Sequence, residues 1–148
     1  MGESRMPRLR IYADLPELSR IRDFVVQAGH ELGLDERSIA DLELVVDEAC
    51  SNIIRHGYGG QGGPIEVLVQ AAAGGVRVIV RDWAPAFGPQ SVPWPDVTAP
   101  LEERPLGGLG LFLIHRLMDD VQFHFDAANG NTLTMAKRSR LKTGGIHV

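Results

Sequence analysis

LELVVDEACSNIIRHGYGG, residues 42–60, decides how this chain is read. Leu42, Val45, Val46, Ala49, Cys50, Ile53 and Ile54 recur at helical spacing, which predicts a helix laid against a core. Glu48 and Asn52 interrupt that surface. They stand four residues apart, so their side chains share one face, and a buried polar group without a partner is costly. Either both are satisfied inside the protein, or they line a cavity where something binds. Asp41 and Arg55 extend the pair into a polar stripe along the same helix.

Upstream, Asp14 with Glu17 three residues later has capping-box spacing. Leu18, Ile21, Val25, Ala28 and Leu32 then predict an amphipathic first helix ending near Gly33. Asp35 caps the second helix, which stops at Gly57. HGYGGQGG (56–63) ends a helix, so a C-cap and a loop suffice for its glycines. Downstream, IEVLVQA (65–71) and VRVIVRD (76–82) are joined across AAGG as a hairpin. Val76, Val78 and Val80 give its second strand one apolar face.

From Trp83 to Leu106 no periodicity persists, and six of the nine prolines fall there. So long a segment inside a domain reads as a lid or binding loop over about 83–106. GGLG (107–110) leads into a third helix whose stripe is Leu111, Ile114, Leu117, Met118 and Val121. QFHF (122–125) and TLTMAKR (132–138) flank AANGN as a second hairpin. MGESRMPRL and KTGGIHV read as frayed tails. The order α-α-β-β-loop-α-β-β predicts an α+β fold: a two-layer sandwich with helices on one face of a mixed, mostly antiparallel sheet.

Composition narrows the function. The 148 residues fit one domain, 1–148, with a core of about 8–138. A 44% hydrophobic and 23% charged chain is globular rather than disordered. A net charge of -4 argues against a nucleic-acid binder, which would show a basic face. With one cysteine, Cys50, no disulfide forms within the chain, which fits a reducing cytoplasm. No apolar run of about 18 residues or signal-like N-terminus points to a membrane or to secretion. The five histidines show no ligand spacing.

The chemistry-bearing positions are consistent with a nucleotide. Magnesium takes oxygen ligands and completes its shell with waters and phosphates, and Asn52 offers a neutral oxygen that does not repel phosphate. Glu48 is a candidate general base, able to take a proton from an attacking hydroxyl. Arg55 can offset phosphate charge. Gly107, Gly108, Leu109, Gly110 and Leu111 lie at a loop-to-helix junction where backbone N–H groups and the helix dipole favour phosphate. The glycines follow neither a Rossmann strand nor a Walker pattern, and a hinge or tight helix start is an equal explanation of them. Asp82 ends a strand, where a carboxylate either simply terminates it or accepts from a purine amino group. Thr134, on a later strand, could support it.

E48-x-x-x-N52, D82-x-A-P-x-F87, G108-L-G110 followed by MDDV (118–121), and NTLTMAKR (131–138) occur in order over roughly residues 8 to 138. This series resembles the GHKL ATP-binding fold, and most of all the bacterial anti-sigma-factor serine kinases of partner-switching systems. The resemblance implies ATP and Mg2+ as ligands, with Glu48 as catalytic base and Asn52 on magnesium. It also implies Asp82 on adenine with Ala86 and Thr134 nearby, Arg104 reaching in from the lid, and the 107–111 backbone on phosphates. The implied partners are a STAS-type anti-anti-sigma protein as substrate, a sigma factor, and a second copy of the chain in a cytoplasmic homodimer. Neither nucleic acid nor membrane is implied.

The departures from the pattern are Ala84 and Ala86 at positions the family writes as glycine, and Leu106 where an arginine commonly precedes the glycine motif. An alanine forced to positive φ would cost on the order of 1–2 kcal/mol. A non-catalytic, nucleotide-dependent protein-binding switch of the same fold is therefore the alternative function. A third, an ATPase or a sensor-kinase catalytic fragment, is disfavoured because these 148 residues show no transducer domain or phosphoacceptor-helix region.

Overall fold

The computed structural model describes residues 6–84, 108–126 and 128–138, with the backbone alone for 108–111. In chain order these residues form strand β1 (Arg8–Ala13), helices α1 (Leu18–Glu31) and α2 (Glu36–Asn52), strands β2 (Gly63–Ala72) and β3 (Gly75–Asp82), helix α3 (Gly108–Leu117), and strands β4 (Asp120–Asp126) and β5 (Gly130–Arg138). The strands form one sheet in the order β1-β2-β3-β5-β4.

The helices open where their caps dictate. Asp14 Oδ1 accepts from Glu17 N at 3.3 Å, but it starts a 3-10 turn, Leu15–Glu17, from which α1 continues. The Glu17 carboxylate faces Arg20 at 3.4 Å, so this is a one-sided cap and not a reciprocal box. Asp35 Oδ1 accepts from Ser38 N at 2.7 Å and starts α2. Such a cap contributes about 1 kcal/mol.

Strand alternation puts one face of the sheet against the helices. Ile65, Val67 and Val69 of β2, Val76, Val78 and Val80 of β3, and Leu133 and Met135 of β5 join Ile21, Val25, Leu42, Val46 and Ile114 in one core cluster. A fully buried side chain of this kind contributes about 1.5–3 kcal/mol relative to exposure. The opposite face carries Arg10, Arg77, Arg81 and Thr134. Glu66, 5% exposed, is held there between Arg8 at 3.3 Å and Arg81 at 3.4 Å.

The α+β sandwich agrees with the expectation, and three details correct it. Every strand pairing is antiparallel, so the sheet is not mixed. Arg8 and Leu9 belong to a strand and not to a frayed tail: RLRIYA turns Leu9, Ile11 and Ala13 inward and pairs with β2 from Arg8↔Leu68 to Ala13↔Gly63. Val121 is not on α3. That helix ends at Leu117, whose carbonyl accepts from Lys137 Nζ at 2.8 Å. Asp119 N then bonds Ala136 O at 2.8 Å, and Val121 pairs with Met135 as part of β4. No helix among the described residues is long and apolar enough to cross a membrane.

Candidate functional site

The recess of interest lies between the end of α2, the end of β3, α3 and the β4–β5 hairpin. Asn52 and Asp82 line it together with Ile114, Phe123, Phe125 and Leu133. Its wall is mostly apolar, and the Phe123 and Phe125 rings stack with centroids 5.5 Å apart.

Asn52 is the last residue of α2, which gives way after it to a wider π turn, Ile53–Gly57. Such turns frequently occur at functional positions. Asn52 is 7% exposed, and its Nδ2 is buried with no hydrogen-bond partner among the described residues. An unsatisfied buried group of this kind costs about 1–3 kcal/mol. A half-turn of the amide would present its oxygen at the same point. One helical turn earlier Glu48 is half-buried. Burial, reinforced by Asp47, raises its carboxyl above the usual range, while Arg55 pulls in the opposite direction.

Asp82 is 2% exposed. Its Oδ1 accepts from Ala84 N and from Asn131 Nδ2, both at 2.9 Å, and Asn131 Nδ2 also donates to Ala84 O at 3.0 Å. Burial pushes the Asp82 carboxyl up, and the two hydrogen bonds to Oδ1 offset part of that effect. Oδ1 is thus doubly engaged, while no hydrogen bond to Oδ2 is made among the described residues. Ala84 sits in this clamp without a positive φ, since among the described residues only glycines have one. The strain foreseen for an alanine at position 84 is therefore absent.

The remaining candidates are distributed unevenly. Gly108 and Gly110 form the first turn of α3 with Leu109 and Leu111, and Ile114 of the same helix lines the recess. The initial N–H groups of a helix have no partner within it. Arg55 is exposed, and its Nη1 bonds Ser51 Oγ at 2.9 Å, along the helix and not into the recess. Thr134 is not brought to the recess: it pairs with Ile79 and Gln122, on the face of the sheet opposite Asp82 and Leu133. Ala86, Arg104, Gly107 and the lid segment from residue 85 onward lie outside the described residues.

Two residues escaped the sequence reading. Asn131 stands in the NTLT motif, three residues before Thr134. Strand parity was the available signal, because 131 and 133 share the inward face. Tyr58 falls in the glycine-rich run 56–63, whose pattern predicts only a C-cap and a loop, yet its hydroxyl donates to Pro64 O at 2.7 Å and accepts from Trp83 N at 2.9 Å. Among the described residues no cluster of three His, Cys, Asp or Glu side chains could hold a metal ion.

Residues 11–137 match the family model described as the histidine kinase-like ATPase domain. The serine-protein kinase RsbW of Bacillus thuringiensis (strain Al Hakam) is 30% identical over 134 residues, covering 87% of this chain and 82% of the relative. The RsbW of Bacillus cereus (strain B4264) is likewise 30% identical, over 138 residues. Among solved structures, the RsbU and RsbW domains of Rv1364c from Mycobacterium tuberculosis superpose with a TM-score of 0.60 at 23% identity, over 90% of this chain and 32% of that one. The SiaB-SiaC complex from Pseudomonas aeruginosa gives 0.58 at 13% identity, over 88% and 86% of the two chains. At these identities the two structures speak to the fold alone. The fold, the family model and the RsbW relatives together establish that the chain belongs to the histidine kinase-like ATPase family, in its GHKL branch of anti-sigma-kinase-like proteins.

Proposed function

We propose that this protein binds Mg-ATP in the recess between α2 and the β4–β5 hairpin and transfers the γ-phosphoryl group to a serine hydroxyl of a small STAS-type antagonist protein. The observation that carries the reading is the Asn52 amide: buried, unpartnered among the described residues, at a recess it shares with Asp82 and one turn from a half-buried carboxylate. An internal amide without a partner suits a ligand that completes it.

In this reading the Asp82 Oδ2 accepts from the amino group of adenine, while the apolar wall covers the base. The first-turn N–H groups of α3 hold phosphate oxygens. Asn52 would hold magnesium, which would neutralise phosphate charge. Glu48 takes the proton of the serine hydroxyl as that oxygen bonds to the γ-phosphorus. The bond from phosphorus to the bridging β–γ oxygen then breaks and ADP leaves. A carboxyl raised above its ordinary range by burial is a stronger base than an exposed one.

The further partners on this reading are a sigma factor and a second copy of the chain, in the cytoplasm. A second reading, a nucleotide-dependent protein-binding switch without transfer, is favoured by Arg55. Its bond to Ser51 leaves no described side-chain cation lining the recess. Incubating the protein with γ-labelled ATP and candidate STAS proteins encoded nearby, and scoring phosphoserine, separates the two. Label on serine that disappears in Glu48→Gln supports transfer. Nucleotide binding with no label on any candidate supports the switch.

A further inference from the structure

Strands β2 and β3 pair up to Ile65↔Asp82, after which the next rung would join Trp83 to Pro64. That rung is not made directly. The Tyr58 hydroxyl stands in it, donating to Pro64 O at 2.7 Å and accepting from Trp83 N at 2.9 Å. The ring has room because residue 63 is glycine: a Cβ there would overlap the ring of Tyr58. At its other end Tyr58 closes the π turn after Asn52, with its own N–H on Ile53 O at 2.9 Å. Burial, only partly offset by the Trp83 bond, raises the phenol above its ordinary range, so the hydroxyl keeps its proton at neutral pH.

We infer that Tyr58 is a positioning residue for the nucleotide site, its hydroxyl fixing the Asp82–Ala84 turn relative to the end of α2 that carries Asn52. This rests on the nucleotide reading above. The chain passes from Asn52 through one π turn to Tyr58, across one hydroxyl to Trp83, and back one residue to Asp82. The two polar groups that would grip opposite ends of the ligand, base and metal-bound phosphate, are thus linked by a single side chain. Arg10 stacks on the Trp83 ring at 5.2 Å from its centroid, so the indole has a defined environment to report from.

The test is Tyr58→Phe, which keeps the ring and removes only the hydroxyl, in a Trp94→Phe background that leaves Trp83 as the one tryptophan. The expected result is an increase in acrylamide quenching of Trp83 of at least about twofold. With it should come a roughly five- to tenfold rise in the dissociation constant and KM for Mg-ATP, the scale of one lost hydrogen bond. The turnover rate should stay within about twofold, since Glu48 is untouched. Gly63→Ala, which displaces the ring, should produce the same split by a second route. A Tyr58→Phe protein with unchanged quenching, or with changed quenching and unaltered ATP affinity, overturns the inference. A parent protein that binds no nucleotide overturns the reading beneath it.

Discussion

Replacing Asp82 separates its part in holding the fold from its part in holding a ligand. In Asp82→Ala two buried donors, Ala84 N and Asn131 Nδ2, lose the oxygen they share at 2.9 Å. Ala84 N is stranded and Asn131 Nδ2, which keeps Ala84 O, loses one of its two bonds, so at about 1–3 kcal/mol for each unmade bond the pair costs about 2–4 kcal/mol. For a chain of this length that is a fall in melting temperature of roughly 5–15 °C. In Asp82→Asn the amide oxygen still accepts both bonds and no charge is buried, so stability should stay within about 1 kcal/mol of the parent. The amide does, however, place a donor where Oδ2 offered an acceptor. Loss of a hydrogen bond to a charged group, about 1.5–3 kcal/mol, should weaken ATP binding by roughly 10- to 150-fold.

The pH dependence of stability gives a further check. The folded carboxyl is raised from 3.8, chiefly by burial, so between 3.8 and the folded pKa the native state holds more proton than the unfolded chain. Its contribution therefore favours folding in acid and declines as pH rises through the folded pKa. The parent should lose ground to Asp82→Asn as pH climbs through that window. Thermal melts at several pH values and calorimetric ATP titrations check all of this. Asp82→Asn binding ATP like the parent, or Asp82→Ala melting like it, would refute the reasoning.

Glu48→Gln should retain ATP affinity within about twofold and lose at least a hundredfold in transfer. The parent's rate should fall in acid with a midpoint above 4.5, since burial raises that carboxyl, and the variant should lack this limb; transfer assays across pH decide it. Asn52→Leu removes an unpartnered buried amide, so the unliganded protein should gain about 1–2 kcal/mol of stability in thermal melts while losing magnesium-dependent ATP binding. A destabilised variant with intact binding would show that the amide serves the fold.

The sequence spoke most clearly where local chemistry and tertiary demand agree. The apolar surface of α2, the Asp35 cap and both hairpin turns are written in consecutive residues, and each stands where its pattern placed it. β1 was missed because RLRIYA is six residues long and turns Arg8, Arg10 and Tyr12 to the open face, so its inward alternation is faint. Val121 continued a helical period by accident: what ends α3 is Lys137 and the pairing of Asp119 with Ala136, contacts made by β5, remote in sequence. Of the polar breaks in the apolar surface of α2, Asn52 lines the recess and Glu48 does not, and Asp82, legible as a carboxylate ending a strand, lines it too. Counting parity from Leu133 would have rejected Thr134 and selected Asn131. The Tyr58 rung depends on where β2 and β3 stop pairing, which the glycine-rich run from 57 to 63 conceals.

The central claim is that Asn52 and Asp82 share one magnesium-bound nucleotide, and calorimetric titration of the protein with ATP, with and without Mg2+, tests it most directly. Saturable heat is expected, with a dissociation constant below about 1 mM, strengthened by magnesium in the parent and not in Asn52→Leu. A flat trace up to millimolar Mg-ATP, or a binding curve indifferent to both magnesium and Asn52, would contradict it.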